Sequence, residues 1–299
     1  MGRIQKVYPV NNAIIKKIGI IAKPTADNIK QILSDLSNWI EEKGLQALFD
    51  EEGSGILGNS VETLGRKTVP SCVDLVIVLG GDGTILSIGS KAAESGAPVL
   101  GINLGGLGFL AETKKEEMFE TLDKVITGDY SCTERLLLRG ELIRGGRKIK
   151  AFEALNDTVV NKASIARMIE IEVFLDGNFV IHFRADGLIA ATPTGSTAYS
   201  LSAGGPIMHP ALKDIIIAPI CPHTLTYRPL VVSSESTIEL VNYAEKTEAV
   251  LTIDGQQVIE LEKEDRIIIT RSPYVLKLIG SQKKNHFQIL SEKLQWGKR

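Results

Sequence analysis

From Ile18 to Gly128, short apolar runs alternate with segments whose apolar residues recur every three or four positions. The first run, IGIIA at 18–22, predicts a strand. Ile29, Ile32, Leu33, Leu36 and Ile40 then share one face of a helix, which Thr25 or Asp27 would open and Gly44 would close. LQALF and DLVIVL read as further strands, the second apolar on both faces as in a buried parallel sheet. TILSIGSKAAES reads as helix ahead of Gly96 and Pro98, and PVLGIN as strand. KKEEMFETLDKVITG places Met118, Leu122, Val125 and Ile126 on a helix that stops at Gly128. Such alternation predicts βαβ units, and hence an α/β domain with a parallel sheet.

After about Arg135 the period falls to two. Ile169, Ile171, Val173 and Leu175 alternate up to Asp176-Gly177, and Ile181 and Phe183 continue beyond it, which predicts a hairpin. A second Asp-Gly turn, Asp254-Gly255, separates AVLTI from QQVIEL, and RIIITR and YVLKLI follow. This part is therefore β-rich. The closing stretch, NHFQILSEKLQWGKR, returns to helical spacing with Phe287, Leu290 and Leu294, which suits a helix packing back on the first domain. The expected division is an α/β domain over 1–135, joined by a final helix at 285–299, and a β-rich domain over 136–284. No repeat, low-complexity tract or long linker intervenes, so the two parts are expected to share a rigid interface.

Composition narrows the chemistry. A chain of 299 residues that is 43% hydrophobic can bury a sizeable core. A net charge of -2 gives no basic field for nucleic acid or an anionic membrane, so the expected partners are small molecules. The three cysteines, Cys72, Cys132 and Cys221, form no CxxC, and with four histidines they argue against a disulfide framework or a zinc site. No apolar run approaches the roughly 18 to 20 residues of a membrane span, and the N-terminal stretch lacks a signal-peptide core. A cytoplasmic protein is expected, with no metal-ligating residues of its own.

The stretch LVIVLGGDGTIL ends a buried strand in Gly80, Gly81, Asp82, Gly83 and Thr84. A loop after a parallel strand and before a helix is where open α/β sheets bind ligands. Its glycines can take backbone angles closed to other residues and let phosphates approach main-chain N–H groups, while Thr84 can cap the helix or donate to an anion. Asp82 beside a phosphate would be repulsive unless it ligates Mg²⁺ or accepts a proton from an attacking hydroxyl; a solvated Asx turn is the plain alternative. No GxxxxGK[ST] is present, which excludes a P-loop. GGLGFLA fits a permissive GxGxxA pattern, with Phe109 equally suited to packing or stacking. In the second part, Asn156-Asp157, the segment from Arg184 and Asp186 through Thr194, Thr197, Ala198 and Tyr199, and the loop holding His223 and Arg228 gather polar groups where plain alternation would be expected. Together with the glycine loop they predict a polar pocket between the domains.

In order along the chain, GGDGT (80–84), GINLGGLGFLAE (101–112), LNDTVV (155–160), ADGLIAATPTGSTAYSLSAGGP (185–206) and APICPHTLTYRPLVV (218–232) closely resemble the NAD kinases. The similarity runs from about Ile18 to the C-terminus. It implies ATP-dependent phosphorylation of the 2′-hydroxyl on the adenosine ribose of NAD, with Mg²⁺, in a homodimer or homotetramer. By that resemblance Asp82 is the proton acceptor, and Gly80, Gly81, Gly83 and Thr84 face the transferred phosphate. Asn156 and Asp157 contact adenine and ribose, Phe109 packs near the adenine, and Asp186, Thr194, Thr197, Ala198 and Tyr199 line the NAD site, as do Gly81, Asp82 and Gly83. Arg184, His223, Arg228 and Gln256 are further candidates; His223 and Arg228 would either meet phosphate or hold structure. Family members often carry Glu after the Asn, so Asp157 is a departure. GGDGT alone is shared with diacylglycerol and sphingosine kinases, so a lipid kinase and a non-catalytic NAD(P) sensor are the competing readings.

Overall fold

The apolar runs of the first part become the parallel strands Lys17–Ala22, Gln46–Asp50, Leu75–Leu79 and Val99–Asn103 in a computed structural model. The structure describes residues 8–9, 15–58, 61–106, 108–163, 168–224, 226–245, 248–281 and 283–297. By contacts the chain divides into two units, one of residues 1–134 and 275–299, the other of residues 135–274.

In the first unit, Leu75–Leu79 and Val99–Asn103 are buried at every position, which is why they run without alternation and are apolar up to the terminal Asn103. The helix Ile29–Glu42 buries the five residues that its periodicity marks, and Met118–Ile126 buries Met118, Leu122 and Val125 in the same core. Ile126 is only half buried. Neither Thr25 nor Asp27 opens the first helix; its N-cap is Asn28, held at φ 55 with no side-chain cap bond. The asparagine tolerates this left-handed conformation, in which a local turn leads into the helix. Gly44, at φ 69, follows its end.

In the second unit a six-stranded antiparallel sheet runs in the order Leu230–Ser233, Asp214–Ile220, Gly187–Ala191, Asp157–Lys162, Ala249–Ile253, Gln257–Glu260. The predicted hairpin is the pair Ile169–Leu175 and Asn178–Ala185, with a register irregularity between Val173 and Phe174. Ile171, Val173, Leu240, Ile267 and Ile269 pack with Val160, Leu188, Ala190 and Leu251 of the six-stranded sheet in one core. The outward face of that sheet buries Val159, Ile189, Ala191, Ile216 and Ala218 with Met208.

Two expectations about the C-terminal part need correction. RIIITR and YVLKLI are one strand, Arg266–Ile279, which passes through the exposed Pro273; its last residues belong to the first unit, where Leu278 pairs with Val99. The final helix, His286–Lys293, buries Ile289 and Leu290, whereas Phe287 is 66% exposed, because the helix is short and turns a different face inward than the Phe287, Leu290, Leu294 spacing suggests. It lies in the first unit, capped by Asn285 and Gln288 in a reciprocal box. None of the helices over the described residues is long and apolar enough to cross a membrane.

Gly101 in the central strand lies beneath the helix Asp82–Ser95; a Cβ there would stand 2.7 Å from Ile85 Cδ1 and 2.9 Å from Ala111 Cα. Gly101→Ala is expected to lower stability in urea unfolding by about 1–3 kcal/mol through overpacking. Gly55→Ala, with nothing within 4 Å of the added methyl, should be neutral or slightly stabilising.

Candidate active site

The helix that follows GGDGT begins earlier than its apolar periodicity suggests. It spans Asp82–Ser95 with Gly81 as N-cap at φ -106, so Gly80 and Gly81 alone connect strand to helix. Thr84 does not cap it; the residue sits inside the first turn, its N–H donating to the Gly81 carbonyl at 3.0 Å. Gly80, Gly81 and Gly83 all lie outside the left-handed region, so their value is not unusual backbone angles. A Cβ on Gly80 would stand 2.5 Å from Thr84 Oγ1, a packing constraint. At Gly81 and Gly83 an added Cβ would meet nothing within 4 Å, which leaves the backbone of this turn open to an approaching group.

Asp82 is not a solvated carboxylate. Its Oδ2 accepts from the Phe109 N–H at 2.9 Å, and its Oδ1 accepts from the N–H groups of Leu110 at 2.9 Å and Ala111 at 3.1 Å. Three consecutive main-chain donors of the 108–111 turn thus converge on one side chain. Gly108 follows from that contact, since a Cβ there would lie 2.2 Å from Asp82 Oδ1. Asn103, at the end of its strand, holds the same loop from the other side: its amide donates to the Gly106 carbonyl at 2.5 Å and its oxygen accepts from the Gly105 N–H at 2.7 Å. Phe109 is half buried, with Lys293 of the last helix 5.8 Å from its ring centroid, a cation–π contact.

The second unit repeats the device. Asp254 Oδ2 accepts from the Leu155 N–H at 2.9 Å, and Oδ1 accepts from Asn156 at 2.7 Å and Asp157 at 3.1 Å. The carbonyls of this turn are also engaged: Leu155 by Thr192 Oγ1 at 2.6 Å, Asn156 by the Thr192 N–H at 2.9 Å, Asp157 by the Asp254 N–H at 3.0 Å. Every main-chain polar group of 155–157 therefore has a partner. Gly195 lets the TPTGS turn press against it, because a Cβ there would come within 2.1 Å of the Asn156 carbonyl oxygen.

Beside this turn lies a cavity of about 380 Å³ lined by second-unit residues, among them Asn156, Asp157, Ala198, Tyr199, Thr252 and Asp254. The structure thus brings together four of the expected site residues, Asn156, Asp157, Ala198 and Tyr199. Asp186 is elsewhere in the second unit, its Oδ1 2.7 Å from Lys162 Nζ. Thr194 is buried with no partner for its hydroxyl among the described residues, and Thr197 donates to the Thr194 carbonyl at 3.3 Å. Arg184 pairs with Glu170 at 3.3 Å, Arg228 donates to the Tyr227 carbonyl at 2.8 Å, and the exposed His223 is tied by its N–H to the Arg184 carbonyl at 3.0 Å. Gln256 is exposed at the tip of the hairpin. None of these last six residues, from Thr194 to Gln256, lines the cavity.

Asn103, Lys162 and Asp254 escaped the sequence reading. Asp254 carried a signal, a carboxylate in a turn, but tight hairpin turns use Asp-Gly for conformational reasons alone. Asp157 is 5% exposed, and burial together with the nearby Asp254 carboxylate pushes its carboxyl up to about 7. Burial raises Asp254 as well, against the opposing pull of its three amide donors.

The chain matches the ATP-NAD kinase N-terminal domain over residues 18–130 and the ATP-NAD kinase C-terminal domain over residues 155–281. It is 43% identical to the NAD kinase of Geotalea daltonii over 285 residues, covering 95% of this chain and 100% of that one. It is 41% identical to the NAD kinase of Syntrophotalea carbinolica, with the same coverage. Among solved structures, yeast NADH kinase complexed with NADH aligns with a TM-score of 0.87 at 26% identity, over 95% of this chain and 89% of that one. An NAD kinase from Archaeoglobus fulgidus in complex with ATP aligns with a TM-score of 0.73 at 26% identity, over 93% and 98%.

The raised Asp157 carboxyl sets a pH dependence. Below its unfolded value of 3.8 it is protonated in both states; between there and about 7 the folded protein keeps a proton that the unfolded chain has lost. Its contribution to stability is therefore full at low pH and is lost as pH rises towards 7, with a slope of at most about 1.4 kcal/mol per pH unit. Urea unfolding of the unliganded protein at pH 5 and pH 7 should show a drop for the wild type that is smaller in Asp157→Asn. Equal drops would contradict the buried, raised carboxyl.

Proposed function

The chain belongs to the NAD kinase family, and on that premise we propose that its own residues carry the transfer of the ATP γ-phosphate to the 2′-hydroxyl of the adenosine ribose of NAD, giving NADP. The observation that carries this reading is the state of Asp82. A carboxylate accepts about four hydrogen bonds, and here Oδ1 takes two amides while Oδ2 takes one. Oδ2 therefore has a lone pair for a substrate hydroxyl while the loop bonds stay intact. In a loose phosphoryl-transfer transition state the proton moves late and most of the acceleration comes from alignment and charge stabilisation, so Asp82 has to position the hydroxyl more than to abstract its proton. The open backbone at Gly81 supplies a main-chain donor for the transferred phosphate, with Gly80, Gly83 and Thr84 shaping the turn.

The donor enters as MgATP. The Mg²⁺ that the family resemblance implies would be carried by the phosphate oxygens and water, as Mg²⁺ at nucleotide sites commonly is. Asn156, Asp157, Ala198 and Tyr199, around the cavity, form the NAD site, with Phe109, Asp186, Thr194 and Thr197 contributing as the family resemblance implies. Arg184, His223 and Arg228 act in structure rather than on phosphate, since they hold backbone or carboxylate partners. The same family resemblance implies a homodimer or homotetramer, and the free cysteines suit a reducing compartment such as the cytoplasm.

Purified protein given NAD, ATP and Mg²⁺ should form NADP, followed with an NADP-specific dehydrogenase. Asp82→Asn should lower turnover by about 10² to 10⁴, with a smaller change in NAD affinity. A wild type that forms no NADP overturns the kinase reading, and a folded Asp82→Asn with near wild-type turnover overturns the role of Asp82. Gly81→Ala adds a methyl into open space, so its melting temperature should match the wild type while turnover falls by about tenfold or more; unchanged turnover would show that no phosphate approaches this backbone.

A further inference from the structure

The molecule contains an internal comparison between two Asp-Gly hairpin turns. Asp176-Gly177 is a two-residue connection at φ 50 and 77, and Asp254-Gly255 opens a three-residue connection, 254–256, at φ 50 and 66; both pairs hold the positive values that tight hairpin turns use. The conformation alone would be served equally by Asn. Asp176 does little more than that requirement: its Oδ1 accepts one bond, from the Thr237 N–H at 2.8 Å. Asp254 instead receives three consecutive N–H groups from a segment about a hundred residues away in sequence, and it borders the cavity.

The consequence falls on Asn156 and Asp157. With the amides of 155–157 on Asp254 and the carbonyls on Thr192 and Asp254, the turn has no main-chain polar group left to rearrange for. The side chains of Asn156 and Asp157 have no hydrogen-bond partner among the described residues, and both line the cavity. A turn with a fully engaged backbone and two unengaged polar side chains is preorganised to present those side chains to a ligand.

We infer that Asp254 is the positioning residue of the dinucleotide site, fixing the 155–157 turn so that Asn156 and Asp157 meet NAD in the geometry that binding needs. This rests on the NAD kinase reading of the site. Asp254 acts through the turn and not on the reacting atoms, so its loss should weaken NAD binding with little effect on the chemical step or on ATP.

The test compares Asp254→Ala, Asp254→Asn and Asp176→Asn in the full-length protein, with initial rates at varied NAD and varied ATP and calorimetric titration of NAD. Asp254→Ala should raise KM for NAD by about tenfold or more, with kcat and KM for ATP within about threefold of wild type. Asp254→Asn keeps one oxygen acceptor and should recover part of the loss, and it decides the matter if the alanine variant does not fold. Asp176→Asn, which keeps the turn residue but not the charge, should leave KM for NAD unchanged. Folded Asp254 variants with wild-type KM for NAD, or with kcat and KM for ATP moved as far as KM for NAD, overturn the inference while leaving the kinase reading intact. A wild type that forms no NADP removes the kinase reading; calorimetry then tests the positioning role directly, which stands if NAD binds and weakens in the Asp254 variants and falls otherwise.

Discussion

A carboxylate gathering three consecutive main-chain N–H groups is the interaction on which both halves of this chemistry depend. Turns at the ends of sheets have amides that neither helix nor ladder engages, and leaving them buried without partners costs about 1–3 kcal/mol each. One aspartate answers three of them at once, because its two oxygens accept about four bonds in a small volume. Asp82 does this for the 109–111 amides and Asp254 for the 155–157 amides. In each case the turn becomes rigid without spending the side chains it carries.

The glycines divide according to this device. Gly108 and Gly195 are required by the protein itself, since a Cβ would run into Asp82 in one case and the Asn156 carbonyl in the other. Gly81 and Gly83 are required by nothing inside the described structure. Bareness that the fold does not need is the mark of a surface shaped for something that comes from outside, and it lies at the N-terminal turn of the helix Asp82–Ser95, where backbone donors and the helix dipole favour an anion.

On the proposed reading Asp82 serves two ends: it holds the 108–111 turn closed through three amides, and Oδ2 keeps an accepting position for a hydroxyl. A stronger base would gain little in a reaction whose transition state leaves the proton in place until late. Asp157 holds its proton towards neutrality because it is buried and stands beside the Asp254 carboxylate.

The sequence alone determined the α/β character of the first unit and the β-rich character of the second, because burial writes a period into the chain: the unbroken apolar runs at 75–79 and 99–102, the helical stripe from Ile29 to Ile40, and the alternation from Ile169 to Leu175. It also marked Asp82, Asn156 and Asp157, since carboxylates and amides between apolar runs are out of place unless they have work to do. It could not show that Thr84 lies inside the helix rather than capping it, that Phe287 faces out, or that 266–279 is one strand, because these depend on which face a neighbour happens to cover. Above all, the partners of Asp82 and Asp254 were invisible in it. Their donors lie 27 to 29 and 97 to 99 residues away along the chain, and no local pattern specifies a hydrogen bond to the backbone of a distant turn, since every residue but proline offers the same N–H. Only the tertiary structure, by bringing those turns against the carboxylates, decided what each aspartate holds.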